Sequence, residues 1–540
     1  MDASKYSLGE PAEDAYEALT TGRQSVIDMG RTMAQLTIPS VFPPDGYEPG
    51  DDIPGNNQSM GGYALSTLAS ELMFMAFPPG QPIMKLELQV AKMQAEIDKD
   101  PELYARVVLA LSQLELAHRK KFLTTPLASA YVGYIRVLLT AGNCLWKHIR
   151  LSSPSYHLPT CYVVSRSNDG HPLITIHKER VRVATLDEDV QALVYQNEPE
   201  LLEEEKREWL RETDIYSVCK LAVGHNSGER TWLYWQEHKG EVIEGTEMET
   251  DYEDCPMWPG WMVPVYGKNW GRSYCEEYRG DLFTLETAGS ALNDLSALAA
   301  WPLVFNKPGA RTSIRQLKQA RNLDILSGSA EDVSVFRSEK GGDGQFVLGN
   351  FDRAARRIGA AFLVQSAVMR DGERVTKEEV QRVGRQLDRA MGGLYTEMAQ
   401  GNQRRIITRA VKLNEEESPY LPPIPTDTVS IDVITGIDAM GASNDANELN
   451  EFGMGINAVF GPGAAAQVLN PSDYATRMAS YKGIKPDGLV KKAEEVEAQK
   501  QQAQQQAMSA DLLSKAAGPT AGALAGALGQ QMTTPPKQQP

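Results

Sequence analysis

Two apolar stripes at helical spacing, joined by a short charged link, form the clearest pattern in the chain. Phe351, Ala355, Ile358, Phe362 and Met369 fall on one helix face, and Val380, Val383, Leu387, Met391, Leu394 and Met398 step by three or four residues downstream. Between them runs Arg370-Asp371-Gly372-Glu373-Arg374. The second helix opens on Thr376-x-x-Glu379, a capping box in which the hydroxyl accepts from a first-turn N–H and the carboxylate reaches back to the cap. Gly372 gives the backbone freedom for a sharp reversal. Gly392-Gly393 inside the second stripe weakens the helix and invites a kink. A link of alternating charge between two rigid helices suits a moving contact better than a pocket, although periodicity alone would also fit a helical hairpin in an ordinary core.

A third long helix is predicted over 272–301, with Tyr274, Tyr278, Leu282, Leu285, Leu292, Leu295 and Leu298 on its apolar side. Thirty residues would span ~45 Å, and Pro302 ends the run. Ala288, Gly289, Ser290 and Ala291 mark a place where another element packs closely. Nearer the N-terminus, 13–35 reads as an amphipathic helix, and Leu65, Leu68, Leu72 and Met75 form a helical stripe ending at Pro78-Pro79. Leu86, Leu88 and Val90 alternate as a short strand, 101–122 is a helix with Pro at its first turn, and 123–145 reads as a buried or amphipathic helix. From Cys161 the period changes to two. Tyr162-Val163-Val164 and Leu173-Ile174-Thr175-Ile176 flank Asn168-Asp169-Gly170 as a hairpin, and 216–221, 231–237 and 242–247 suggest a meander. Residues 186–210 read as an acidic helical segment with a solvated face, and Trp258-Pro259-Gly260-Trp261 reads as a turn carrying two core aromatics. Further on, 421–425 is a stiff extended connector and 429–434 a strand. Residues 488–517 read as helix, and the Pro/Gln-rich end beyond about 530 as a low-complexity tail. The fold class is α+β.

Composition narrows the chemistry. The 540 residues carry a net charge of −17, five cysteines without a CxxC, and seven scattered histidines without HExxH or an i,i+4 pair. No disulfide framework, metal site or cofactor is expected. No run of 18 apolar residues occurs, so no membrane contact is predicted. Gly453-Met454-Gly455-Ile456-Asn457-Ala458 matches a dinucleotide pattern only superficially, because no strand precedes it, and no GxxxxGK[ST] loop occurs. A hydrolase built on Glu276 and Glu277 is disfavoured, because adjacent helical side chains point about 100° apart. An acidic surface is the reverse of a conventional DNA-binding face.

Four blocks together resemble the portal, or head-to-tail connector, proteins of short-tailed podovirus-type bacteriophages. They are 34–43 continued by 65–72 and 77–78, then Leu139-Thr140-Ala141-Gly142-Asn143, then 271–282, and lastly 366–379 continued to Gly392-Gly393-Leu394-Tyr395. They stand in the family's order and cover roughly 20–412. The resemblance implies a non-enzymatic, portal-type subunit with wing, long-helix stem, clip and helical crown, in a ring of about twelve copies around a channel for double-stranded DNA. The implied layout is 1–271 wing, 272–302 stem helix, 303–347 clip, 348–369 second stem helix, 370–412 channel loop and long kinked helix, 413–470 returning wing, and 471–540 crown and tail. Arg370, Asp371, Gly372, Glu373 and Arg374 would form the channel loop, and Tyr274, Tyr278, Leu282, Leu285, Leu292 and Leu295 the stem packing. Implied partners are the terminase large subunit, tail adaptor and nozzle proteins, major capsid and scaffolding proteins, internal core or ejection proteins, and passing DNA. The implied location is the capsid vertex of the virion, after assembly in the host cytoplasm. The rival reading is a structural or scaffold virion protein without DNA passage.

Twelve copies would carry about −200, a field that lets DNA slide rather than stick. Against that background, 302–323 holds no Asp or Glu but does hold Lys307, Arg311, Arg315, Lys318 and Arg321. Arg311, Arg315 and Lys318 fall on one helical face, and a docking role for the clip competes with a plain solvated surface.

Overall fold

The computed structural model describes residues 5–48, 56–77, 83–89, 101–203, 207–224, 229–300, 303–309, 313–319, 329–336, 341–364, 393–418, 428–433 and 439–461, with isolated positions between and beyond them. They are a mixture of helix and antiparallel sheet, as expected. Two compact units partition the chain, Met1–Pro101 with Leu114–Gly441, and Glu102–Gln113 with Ala442–Pro540.

The predicted hairpin and meander form one antiparallel sheet. Its strands are β4 (Tyr162–Arg166), β5 (Pro172–Arg182), β6 (Glu212–Val223), β7 (Arg230–His238) and β8 (Glu241–Val242) in order, with β9 (Met248–Asp251) also on β7. Gly170 turns the hairpin at φ +84°. Val163, Ile176, Val218 and Trp235 pair in a row across four strands and are fully buried. Tyr6, Ala12, Ala15 and Tyr16 cover that row from the N-terminal segment. The strand expected over 242–247 is instead β8 and β9, separated by a turn. Among the described residues the acidic stretch forms the helices Glu188–Asn197 and Glu200–Glu203 and a short 3-10 turn, Glu208–Leu210.

A second sheet corrects two readings. Its order is β10 (Met257–Trp261), β2 (Asn143–Lys147), β3 (Ser155–His157). The supposed turn Trp258-Pro259-Gly260-Trp261 is therefore an edge strand, with Pro259 opposite Leu145. An edge is where a residue lacking an N–H is tolerated. The apolar run 123–145 is not one helix either. Its helix is Leu127–Ala141, stopped by Gly142 at φ +77°, after which the chain enters β2. Leu138, Leu139, Leu145 and Trp146 are all sealed in the protein, which accounts for the apolar run.

The helix Leu127–Ala141 packs on this sheet, and the helices Arg23–Leu36 and Met60–Ala76 pack against that helix. Leu65, Leu68 and Leu72 are inaccessible to solvent. The helix expected over 13–35 is two helices, Ala12–Leu19 and Arg23–Leu36, broken where Gly22 takes φ +81°. The strand expected at 86–90 is β1 (Met84–Leu88), paired antiparallel with β13 (Val429–Val433). Among the described residues no single helix is long and apolar enough to cross a membrane.

Candidate functional site

The long helix begins later than its sequence suggests. Ser273 caps a single turn, Tyr274–Glu277, its Oγ accepting from the Glu276 N–H at 3.0 Å. The helix proper runs Arg279–Ala300, 22 residues and thus ~33 Å rather than ~45 Å. The chain then forms β11 (Leu303–Asn306), the short helix Ile314–Gln319 and β12 (Val333–Phe336), which pairs antiparallel with β11. It returns as the helix Gly341–Ala361. This helix starts seven residues before the interval assigned to the second stem helix and ends sooner, with Leu363 at φ +58° just beyond it.

The two helices lie antiparallel. At one end Tyr274 donates to the Ala361 carbonyl at 3.0 Å, and the Tyr274 and Tyr278 rings lie 5.1 and 5.6 Å from that of Phe362. At the other end the Leu295 side chain lies over Gly344. Leu282, Leu285, Ala354 and Ile358 are buried between and beneath them, whereas Leu292 and Leu295 are only partly covered. Arg357 reaches across to Asp281, with Nε 3.0 Å from both carboxylate oxygens.

The foot of this pair joins segments far apart in sequence. Asn143 and Gly271 exchange two hydrogen bonds of 2.8 Å, side-chain Nδ2 to Gly271 carbonyl and Gly271 N–H to side-chain Oδ1. Gly142 lies so close that a Cβ there would be 2.4 Å from the Arg272 carbonyl carbon. Gln58 bridges the Leu36 carbonyl at 2.9 Å and the Gly61 N–H at 2.7 Å, and Gly61 is pressed against Leu36 and Leu282. Glu286 accepts from the N–H and the Nδ2 of Asn57, beside Gly289, where a Cβ would meet the Asn57 carbonyl at 2.7 Å. The small-residue patch therefore admits the loop before Met60–Ala76. Three of the four sequence blocks that carry the resemblance meet at this foot. Asn143 belongs to one of those blocks, whereas Gln58, Asn57 and Glu286 carried no signal in the sequence; Gly142-Asn143 after an apolar helix is a readable C-cap signal.

The other site residues divide. Lys307, Arg315, Lys318 and Arg321 are exposed beside exposed Phe305 and Ile314, and Arg311 lies outside the described residues. Arg370, Asp371, Gly372, Glu373 and Arg374 also lie outside them, as does most of the helix after Thr376. Glu276 and Glu277 each lie 3.0 Å from Arg272, which occupies both carboxylates. Burial pushes the Cys275 thiol up to about 12, so it is no nucleophile at neutral pH. Among the described residues no three His, Cys, Asp or Glu side chains are grouped to hold a metal.

The chain matches the family model described as bacteriophage head to tail connecting protein over residues 10–490. The portal protein of Enterobacteria phage T3 is 29% identical over 498 residues, 91% of this chain and 90% of the relative. That of Escherichia phage T7 is also 29% identical, over 93% and 91% of the two chains. That of Enterobacteria phage SP6 is 25% identical over 93% and 94%.

Proposed function

The chain belongs to the family of bacteriophage head to tail connecting proteins, and on that premise we propose that it is a portal subunit. It forms a ring at one capsid vertex, through which double-stranded DNA enters during packaging and leaves during ejection. The observation that carries this reading is the match along nearly the whole of three portal proteins, end to end rather than in one motif. Its role is structural and mechanical, without catalysis. It works in the virion at the head-to-tail junction, after assembly in the host cytoplasm.

In this reading the helices Arg279–Ala300 and Gly341–Ala361 are the stem, and the segment with β11, β12 and Ile314–Gln319 is the clip. The interval 370–374 is the channel loop, 1–271 and 413–470 supply the wing, and 471–540 the crown and tail. The antiparallel helix pair supports the stem, because each helix has one face buried against the other and one left open for a neighbouring copy. Twelve copies close the ring. The terminase large subunit docks at the clip and is later replaced by tail adaptor and nozzle proteins. Capsid, scaffolding and internal core proteins contact the remaining surfaces. Arg315 and Lys318 stand three residues apart on the exposed helix Ile314–Gln319, and the surrounding sequence adds Lys307, Arg311 and Arg321, a cationic run in an anionic protein.

Charged rims set encounter rate and salt dependence more than affinity. Reversing Arg311, Arg315 and Lys318 to Glu should leave the ring intact, slow motor docking about tenfold at low salt, and reduce DNA packaged into capsids. Docking and packaging at the unsubstituted rate across a salt series would show that the rim is only solvated surface.

A further inference from the structure

The helix that follows Gly393 contains an irregularity that no sequence motif marks. Leu394–Met398 and Arg404–Glu417 are α-helical, but Ala399–Gln403 between them is a π-helix. A π turn inserts one extra residue, has poorer hydrogen-bond geometry than an α turn, and persists only where its surroundings compensate.

The two halves differ in burial. Tyr395 and Met398 are buried on the first half while Thr396 is exposed, whereas the second half is buried on nearly every side, through Ile406, Ile407, Arg409, Ala410 and Val411. Without the extra residue of the π turn, a continuous α-helix would rotate the first half by about 100° relative to the second. The turn therefore decides whether the Tyr395–Met398 side or the Thr396 side of the first half meets the core.

Asn402 sits in the turn, 2% exposed, with both ends of its amide in use. Its Oδ1 accepts from Trp258 Nε1 at 2.9 Å and its Nδ2 donates to the Trp261 carbonyl at 2.9 Å. Both tryptophans belong to the edge strand β10. Between them Gly260 is pressed so closely that a Cβ would lie 1.8 Å from the Tyr134 hydroxyl and 2.8 Å from Asn402 Oδ1. The neighbouring Gly401 has open space at its Cβ position, and Gln403, whose Oε1 has no partner, donates from Nε2 to the Ala76 carbonyl at 3.4 Å, a longer contact than either of those made by Asn402.

We propose that Asn402 is a positioning residue that fixes the register of the helix Leu394–Met398 by holding the π turn against Trp258 and Trp261. Without it the segment relaxes to a plain α-helix, turned by about 100° relative to Arg404–Glu417. The proposal rests on the portal reading only in that this segment leads back toward the interval assigned to the channel loop. The register itself is independent of DNA passage.

The register can be read by thiol labelling. Thr396 is exposed and Met398 is 2% exposed. In the shifted register position 396 turns toward the core and position 398 turns out. Thr396→Cys and Met398→Cys are each made with Asn402 retained and with Asn402→Leu, and labelling is followed at the peptide level by mass spectrometry. With Asn402 retained, position 396 should label at least about tenfold faster than 398. With Asn402→Leu the order should reverse. Faster labelling at both positions would mean local unfolding, and unchanged rates would mean that Asn402 sets no register; either result overturns the proposal. Asn402→Asp keeps the acceptor for Trp258 and loses the donor to Trp261, so it should give intermediate rates and serves if the leucine variant does not fold. Ring formation is scored separately, so a failed register shift is distinguishable from a failed portal reading.

Discussion

At Gly142 two requirements coincide, a left-handed backbone at φ +77° and contact with the Arg272–Ser273 peptide. Gly142→Ala meets both the strain of that conformation and a clash with backbone, which cannot swing aside as a side-chain end could. The substitution should lower unfolding stability by at least about 2 kcal/mol. The check is denaturant unfolding of the purified chain, and a loss below about 0.5 kcal/mol would show that the foot of the helix pair is not built as described. A different economy holds at Arg409, which is fully buried. Its Nε donates to the His148 carbonyl at 3.0 Å and its Nη1 to Asp254 at 2.9 Å. Burial pushes the Asp254 carboxyl up to about 6 although Arg409 pulls the other way, so desolvation outweighs the ion pair.

Buried histidines make a larger pH contribution than that pair. Desolvation holds His118, His148 and His157 down at about 4, and His177 lower still. A neutral histidine in the fold that would take a proton near 6.5 when unfolded adds stability that is full above 6.5 and lost as pH falls toward 4. Asp254 acts oppositely. Its stabilisation is full below its ordinary 3.8 and lost as pH rises through about 6. Between those limits the depressed histidines outnumber the raised Asp254, so stability falls as pH drops from 6.5 toward 4. Melting temperature should therefore fall steeply from pH 6.5 to 4.5. A flat profile would mean that these histidines are solvated or charged in the fold.

Among the elements, the helix pair has a covered and an uncovered end. Leu282 is inaccessible and sits over Gly61, whereas Leu295 is only partly covered. Leu282→Ala should cost about 2–5 kcal/mol of subunit stability, the range for a cavity in a packed core. Leu295→Ala should cost the lone subunit under about 1 kcal/mol and instead weaken ring closure. Comparing melting and oligomer mass for the two variants checks this, and equal losses of stability would remove the open face from the account. Elements with one unambiguous period were readable in the sequence: the hairpin around Gly170, the Met60–Ala76 stripe, and the two helices whose apolar positions meet. Readings failed where tertiary contact overrides local preference. Trp258-Pro259-Gly260-Trp261 has turn chemistry but is held as an edge strand by β2 and by Asn402. The 272–301 stripe continues through Tyr278, but the helix there is interrupted, and nothing local announces the break. Much of the foot was hidden because contacts such as that between Asn143 and Gly271 join residues more than 100 apart.

For the whole molecule, the decisive property is that one chain supplies a long helix pair with an open face and carries a net charge of −17. Net −17 per chain opposes nonspecific capture of DNA. The match to the head to tail connecting family runs over residues 10–490, nearly all of the chain. The most direct measurement of the central claim is electron microscopy of the purified chain without DNA, partner or added cofactor, supported by native mass spectrometry. The account predicts closed rings of about twelve copies with an axial hole wide enough for duplex DNA. A stable monomer at micromolar concentration, or a closed assembly with no axial passage, would contradict it.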